Sequence, residues 1–165
     1  LSFDWSIVAA PGSSAASLVG GTTATPTLTP DVNGEYVVAL YVSDFIGAGI
    51  PDSVTITSTT AEGFAEIQIV AVDGIVESLS PAEVTTSGNQ TAAQNFLRQA
   101  SKALKSGDIA RAIDKLEKTI ARTDGCALRG SPDGNGRSRD WVTDCAIQAE
   151  IYGPLNAALD GLLAL

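Results

Sequence analysis

Asp31-Val-Asn-Gly-Glu-Tyr-Val-Val-Ala-Leu-Tyr-Val-Ser-Asp44 decides the reading of the front of this chain. Tyr36, Val38, Leu40 and Val42 share one parity and fall on one face of a strand; Val37, Ala39, Tyr41 and Ser43 share the other, less uniformly apolar parity. Asp31, Asn33 and Gly34 supply turn chemistry ahead of them: short side chains that bond their own backbone, and a residue that tolerates positive φ. A turn feeding a β-branched, aromatic-rich run reads as a central strand of an antiparallel sandwich.

The flanks agree. Phe3, Trp5 and Ile7 alternate with Ser2, Asp4 and Ser6, which predicts a half-buried strand with Trp5 as a core anchor. Pro11-Gly-Ser-Ser14 is a turn, 15–18 a short strand, and Gly20-Gly21 punctuates again. Residues 23–29 are Thr-rich and bounded by prolines, as in an edge strand. Residues 45–51 form a loop or hairpin tip, and 53–58 form a strand with Val54 and Ile56 inward.

Composition changes near residue 59. Phe64, Ile67, Val70/Ala71, Gly74/Ile75 and Ser78/Leu79 follow a 3-4 spacing and predict a helix over 64–79, although the local Ile-Gln-Ile-Val-Ala-Val run also alternates and leaves a strand open. Ser80-Pro-Ala-Glu83 reads as a capping box opening a short helix. A second helix runs over 87–105 with Phe96, Leu97, Ala100, Ala103 and Leu104 as its stripe. Asp108 caps a third, to about 122, with Ile109, Ala112, Ile113, Leu116 and Ile120 inward and Asp114–Lys118 as an i,i+4 pair. A fourth begins at Trp141 or Val142 and reaches Leu163, kinked or split at Gly153-Pro154. Four such helices with short connections make a small bundle.

Charge is distributed unevenly. Residues 1–64 hold six acidic side chains and no Lys or Arg, and the rest holds all ten basic and thirteen acidic ones, so the two parts sum to −6 and −3. That asymmetry supports two domains and argues against nucleic acid or acidic membranes as partners. A stretch with nothing for trypsin-like proteases to cut suits an exposed protein. No apolar run is long enough for a membrane span, and no signal peptide is visible. The lack of Met, even at position 1, reads as a processed product or a fragment. With no His in the chain, zinc loses its usual ligand and general-base catalysis its usual residue. Cys126 and Cys145 flank a polar loop and admit either a disulfide or two reduced structural thiols. The disulfide is the reading taken, and an oxidising, extracytoplasmic setting goes with it.

Phe3-Asp-Trp5-Ser, Pro11-Gly-Ser-Ser-Ala-Ala-Ser-Leu18, Pro26-Thr-Leu-Thr-Pro-Asp31, Gly34-Glu-Tyr-Val-Val-Ala-Leu40, Val42-Ser-Asp44 and Pro51-Asp-Ser-Val-Thr-Ile56 together resemble the PKD-type immunoglobulin-like domains of bacterial surface proteins. The resemblance implies that Trp5 packs in the core and that Tyr36 occupies a tyrosine corner. It also implies two strands ahead of the Trp5 strand, for which the chain has no residues; the expectation is an open edge completed by a segment of a neighbouring copy, or a piece of a longer chain completed in cis. Gly107-Asp-Ile-Ala-Arg-Ala-Ile-Asp-Lys-Leu116, Asp124-Gly-Cys126, Ser131-Pro-Asp133, Asp140-Trp-Val-Thr-Asp-Cys145 and Tyr152-Gly-Pro154 resemble a helical module that follows PKD-type domains, similar in pattern to FIMAH-type helical domains. The expected fold is therefore α+β: an incomplete Ig-like β-sandwich over 1–60 and a disulfide-stapled helical bundle over 64–165.

Candidate chemistry is sparse. Asp133, Asn135 and Asp140 sit at cation-loop spacings, but Arg137 and Arg139 place positive charge where a calcium ion would go, so a solvated loop is the favoured reading and no cofactor is expected. Asp31, Glu35, Asp44 and Asp52 would form an acidic cluster if they met at one end of the sandwich, the raw material of glycoside cleavage. The glycines at 20–21 and 47–49 lie in no strand-to-helix turn and do not suggest phosphate binding. Asn89-Gln-Thr91 matches a glycosylation sequon but reads as a helix start. The function expected is non-enzymatic: an extracellular building block of a cell-surface filament or tandem-domain surface protein, self-associating through an open sandwich edge. The alternative is an adhesin or carbohydrate-binding module using the sandwich loops.

Overall fold

The computed structural model describes residues 1–44, 46–47, 49–125 and 140–165. They form two compact units, Leu1–Thr60 and Ala61–Leu165, of mixed α+β class.

The first unit holds β1 (Ser2–Ala9), β2 (Leu18–Val19), β3 (Thr27–Leu28), β4 (Gly34–Ser43) and β5 (Asp52–Ser58). β4 is central in an antiparallel sheet of order β1-β4-β5, and β2 and β3 pair separately. The register sets Phe3 opposite Val42, Trp5 opposite Leu40 and Ile7 opposite Val38; on the other side Tyr36 faces Ile56 and Val38 faces Val54. Because side chains alternate, this register gathers every one of these residues onto a single face. No closed sandwich forms among the described residues. The predicted strands over 15–18 and 23–29 shrink to two residues each. Their backbone is engaged elsewhere: Ala15 N–H bonds the Asp31 carboxylate at 2.7 Å, Thr23 N–H bonds Gly20 O at 2.8 Å, and Pro26 has no N–H to give. Gly34 enters β4 at φ 140°, and a Cβ there would meet Pro11 Cγ at 2.7 Å, so both conformation and space demand glycine.

The second unit contains α1 (Ala61–Ser78), α2 (Ser87–Lys105), α3 (Ile109–Ile120) and α4 (Cys145–Leu163). α1 packs on α2 and α4, and α3 on α2 and α4. Leu97, Leu116, Ile120, Ile151 and Leu155 are fully buried at the centre. α2 and α3 follow their sequence signals: Thr86 Oγ1 accepts from Asn89 N–H, Asp108 accepts from Arg111 N–H, and Lys118 pairs with Asp114 at 2.8 Å.

Four expectations change here. α1 is a helix from Ala61, and the strand alternative falls. It buries Ala65, Ile69, Val72 and Val76, leaving Ile67 and Val70 exposed, so the predicted stripe is largely the outer one. Both stripes have helical spacing, and contact with α2 and α4 decides between them. The 80–83 segment keeps the capping-box bonds, Ser80 N–H and Oγ each to Glu83 Oε2 at 2.7 Å, but makes one turn, because Val84 enters a β-bridge with Val142. That bridge also occupies the predicted start of α4, which begins instead at Cys145 behind the Asp144 cap. α4 continues through Pro154 unsplit. The backbone acceptor that Pro154 leaves unmatched belongs to exposed Glu150, while Ile151, Leu155, Ala158 and Leu159 are buried on both sides of the proline.

Candidate functional site

The inner face of the three-stranded sheet is only partly covered. Tyr36 and Val38 are buried, whereas Val54 is 50% and Ile56 36% exposed. Trp5 lies half-buried on this face, its indole N–H donating to Thr23 O at 3.0 Å, and a shallow cavity of about 120 Å³ opens between Trp5, Val38, Leu40 and Val54. The two sheet edges differ. β1 is partly occupied, since Trp5 N–H donates to Gly21 O at 2.8 Å. β5 pairs with β4 alone among the described residues, and six of its seven residues are exposed.

The sequence-predicted acids do not meet. Asp31 and Glu35 stand at the start of β4 and Asp44 just past its end, with Glu35 and Asp44 about 30 Å apart at strand spacing, so the four carboxylates do not gather at one end of the sheet. Three of them have local work. Asp44 Oδ1 accepts from Ile46 N–H at 2.8 Å and Gly47 N–H at 3.0 Å. Asp52 Oδ1 accepts from Ser53 N–H at 2.8 Å. Asp31 takes Ser14 Oγ–H at 2.6 Å and Ala15 N–H at 2.7 Å; these donors, with Tyr36, hold its carboxyl down at about 2. Tyr36 is fully buried; its Oη accepts from Val32 N–H at 3.2 Å, with Val32 O, Asp31 Oδ1 and Ser14 Oγ at 2.9–3.1 Å to take its one proton. Asp31, Ser14 and Tyr36 thus close one end of the sheet unit as a single network.

Of the calcium candidates, Asp133 and Asn135 lie outside the described residues. Asp140 packs its carboxylate where a Cβ on Gly125 would collide with it, and no group of three potential ligands occurs among the described residues. Cys145 is disulfide-bonded; its expected partner Cys126 lies outside the described residues. Asn89 donates its amide to Thr85 Oγ1 at 2.7 Å in the first turn of α2.

Two features of the helical unit carried no clear sequence signal. A groove of about 310 Å³ between α1 and α2 has Ile69 and Leu97 as its floor and Val70, Arg98, Lys102 and Lys105 around it. Phe96 and Trp141 stack at 5.8 Å between Lys115 and Arg122, beside a cavity of about 340 Å³. The absence of acids from α2 hinted at the first; the second joins residues 45 positions apart that only the fold brings together. No helix among the described residues is long and apolar enough to cross a membrane. No family model, curated protein or solved structure matches the chain.

Proposed function

We propose that the chain is a non-enzymatic, extracellular structural building block, of the PKD-type Ig-like plus FIMAH-like helical kind, that self-associates by strand addition. What carries the reading is β5: a seven-residue strand that pairs on one side only among the described residues and carries partly exposed Val54 and Ile56 on the apolar face. An added strand would satisfy the outward N–H and C=O groups and cover that face in one step. Donor and acceptor surfaces differ, so the contact repeats as a ring or an open filament rather than closing as a two-fold dimer. The chain's lack of His, and the placing of Asp31 and Glu35 at the opposite end of β4 from Asp44, favour a role without catalysis.

Sedimentation velocity of the full chain over a concentration series tests this. Association is expected, with the outward β5 amides gaining hydrogen-exchange protection as oligomers form, and Val54→Lys is expected to abolish both. Association with no added protection on β5, or a monomer at every concentration, refutes the proposal.

A binding role is the second reading, favoured by the half-exposed Phe96–Trp141 stack with Arg122 and Lys118 beside it. Aromatic faces with flanking cations suit acidic saccharides. Shifts of the Trp141 indole resonance on titration with an acidic oligosaccharide, lost in Trp141→Ala, would support it.

A further inference from the structure

Every Lys and Arg among the described residues falls between Arg98 and Arg122. The sheet unit has none: Asp4, Asp31, Glu35, Asp44 and Asp52 give residues 1–60 a formal charge of −5. α1 and α4 carry acids but no base, whereas α2 carries Arg98, Lys102 and Lys105 and no acid. Charge is therefore segregated, and the positive share borders the α1–α2 groove.

That groove has an apolar floor and a rim on which Arg98, Lys102 and Lys105 of α2 outnumber the Glu66 and Asp73 carboxylates of α1. Its floor, Ile69 and Leu97, is 1% and 0% exposed, and Val70 stands 60% exposed at the lip. Two of its cations are engaged by α1: Arg98 with Asp73 at 3.5 Å and Lys105 with Glu66 at 2.9 Å, the latter carboxylate also accepting from Ser101 Oγ at 2.8 Å. Lys102 has no ion pair among the described residues, so its charge is unopposed. Features complementary to these occur in the connection from β4 to β5. Ile46 and Ile50 are 82% and 94% exposed there, between the carboxylates of Asp44 and Asp52. The Asp44 bonds to Ile46 and Gly47, together with Gly49 N–H to Val42 O at 2.8 Å, tie the described backbone of this connection to the end of the sheet.

We infer that the β4–β5 connection of one copy docks in the α1–α2 groove of a second copy, Ile46 and Ile50 covering Ile69, Leu97 and Val70 while Asp44 and Asp52 face Lys102. Apolar burial and charge complementarity act together, since desolvating the groove strengthens the attraction at its rim. The inference rests on the self-association proposed above and adds a second heterologous contact to it, one that joins sheet unit to helical unit.

A charge swap in the full chain tests it. Asp52→Lys and Lys102→Glu exchange the charges of two facing, exposed side chains, so circular dichroism should report unchanged folds. In sedimentation velocity each single variant is expected to weaken association at least about tenfold, and the double variant to recover to within about threefold of the parent. High salt should weaken the parent in the same direction. Singles that associate like the parent, a double that shows no recovery, or a Lys102→Glu effect independent of protein concentration each overturn the inference. Val54→Lys keeps the two contacts distinguishable: association lost there but untouched by Asp52→Lys and Lys102→Glu leaves strand addition standing and removes the groove contact.

Discussion

Replacing Tyr36 by Phe removes one oxygen from a fully buried ring and leaves the ring in place. No sizeable cavity opens, so the cost is that of the hydrogen bonds. The hydroxyl uses its proton once and accepts once, from Val32 N–H at 3.2 Å. Val32 is half-exposed, so water can replace part of what is lost, and Asp31 keeps its bonds from Ser14 and Ala15. A net loss of about 1–1.5 kcal/mol follows. For a unit of this size that corresponds to a drop in Tm of roughly 4–12 °C. The two tryptophans allow the loss to be localised, because Trp5 belongs to the sheet unit and Trp141 to the helical one. In a Trp141→Phe background the fluorescence of Trp5 alone follows urea unfolding of the sheet unit. The reasoning fails if Tyr36→Phe changes stability by less than about 0.5 kcal/mol, the range of an inconsequential surface change. It fails equally if the loss appears in the helical transition.

Other outcomes follow from the same geometry. Asp31, held at about 2 by Ser14, Ala15 and Tyr36, has a native pKa below the roughly 3.9 of an unfolded Asp. Its contribution to the sheet unit is complete above about pH 4 and is lost as pH falls towards 2; Asp31→Asn should flatten that part of the stability–pH curve. Asp108→Ala removes the cap of α3 and should cost about 1 kcal/mol, read from far-UV thermal melts. Leu116→Ala, at a site with no solvent exposure, should cost about 2–5 kcal/mol in chemical denaturation. Thiol titration of unfolded, unreduced protein should find no free cysteine, and reduction should lower stability by about 2–4 kcal/mol.

Sequence reading succeeded where local chemistry alone determines the outcome. α2 and α3 carry their own caps and a single apolar stripe each, so periodicity located both helices and their inner faces. The alternation of β1, β4 and β5 likewise put Trp5, Tyr36, Val38, Val54 and Ile56 on one face. It failed where two readings were locally equivalent. α1 is apolar nearly all round, so Ile67/Val70 and Ile69/Val72 were equally good inner faces until neighbouring helices chose. The helix start assigned to Trp141 and Val142 was taken by a bridge to Val84, 58 residues earlier, which no window of sequence contains. The α1–α2 groove was illegible for the same reason, since its floor combines one residue from each helix.

The Val84–Val142 bridge is reinforced by Thr85 N–H to Trp141 O at 2.9 Å, Thr143 N–H to Glu83 O at 2.9 Å and Trp141 N–H to Arg122 O at 2.8 Å. These bonds, all between described residues, pin both approaches to the segment 126–139. The bundle is therefore a frame with a ready-made graft point. A foreign peptide inserted within residues 126–139 would be held at both ends by backbone already committed to the frame. Loop-closure entropy rises only about 0.6 kcal/mol for each doubling of length, so even a long insert would draw little from the stability of the bundle.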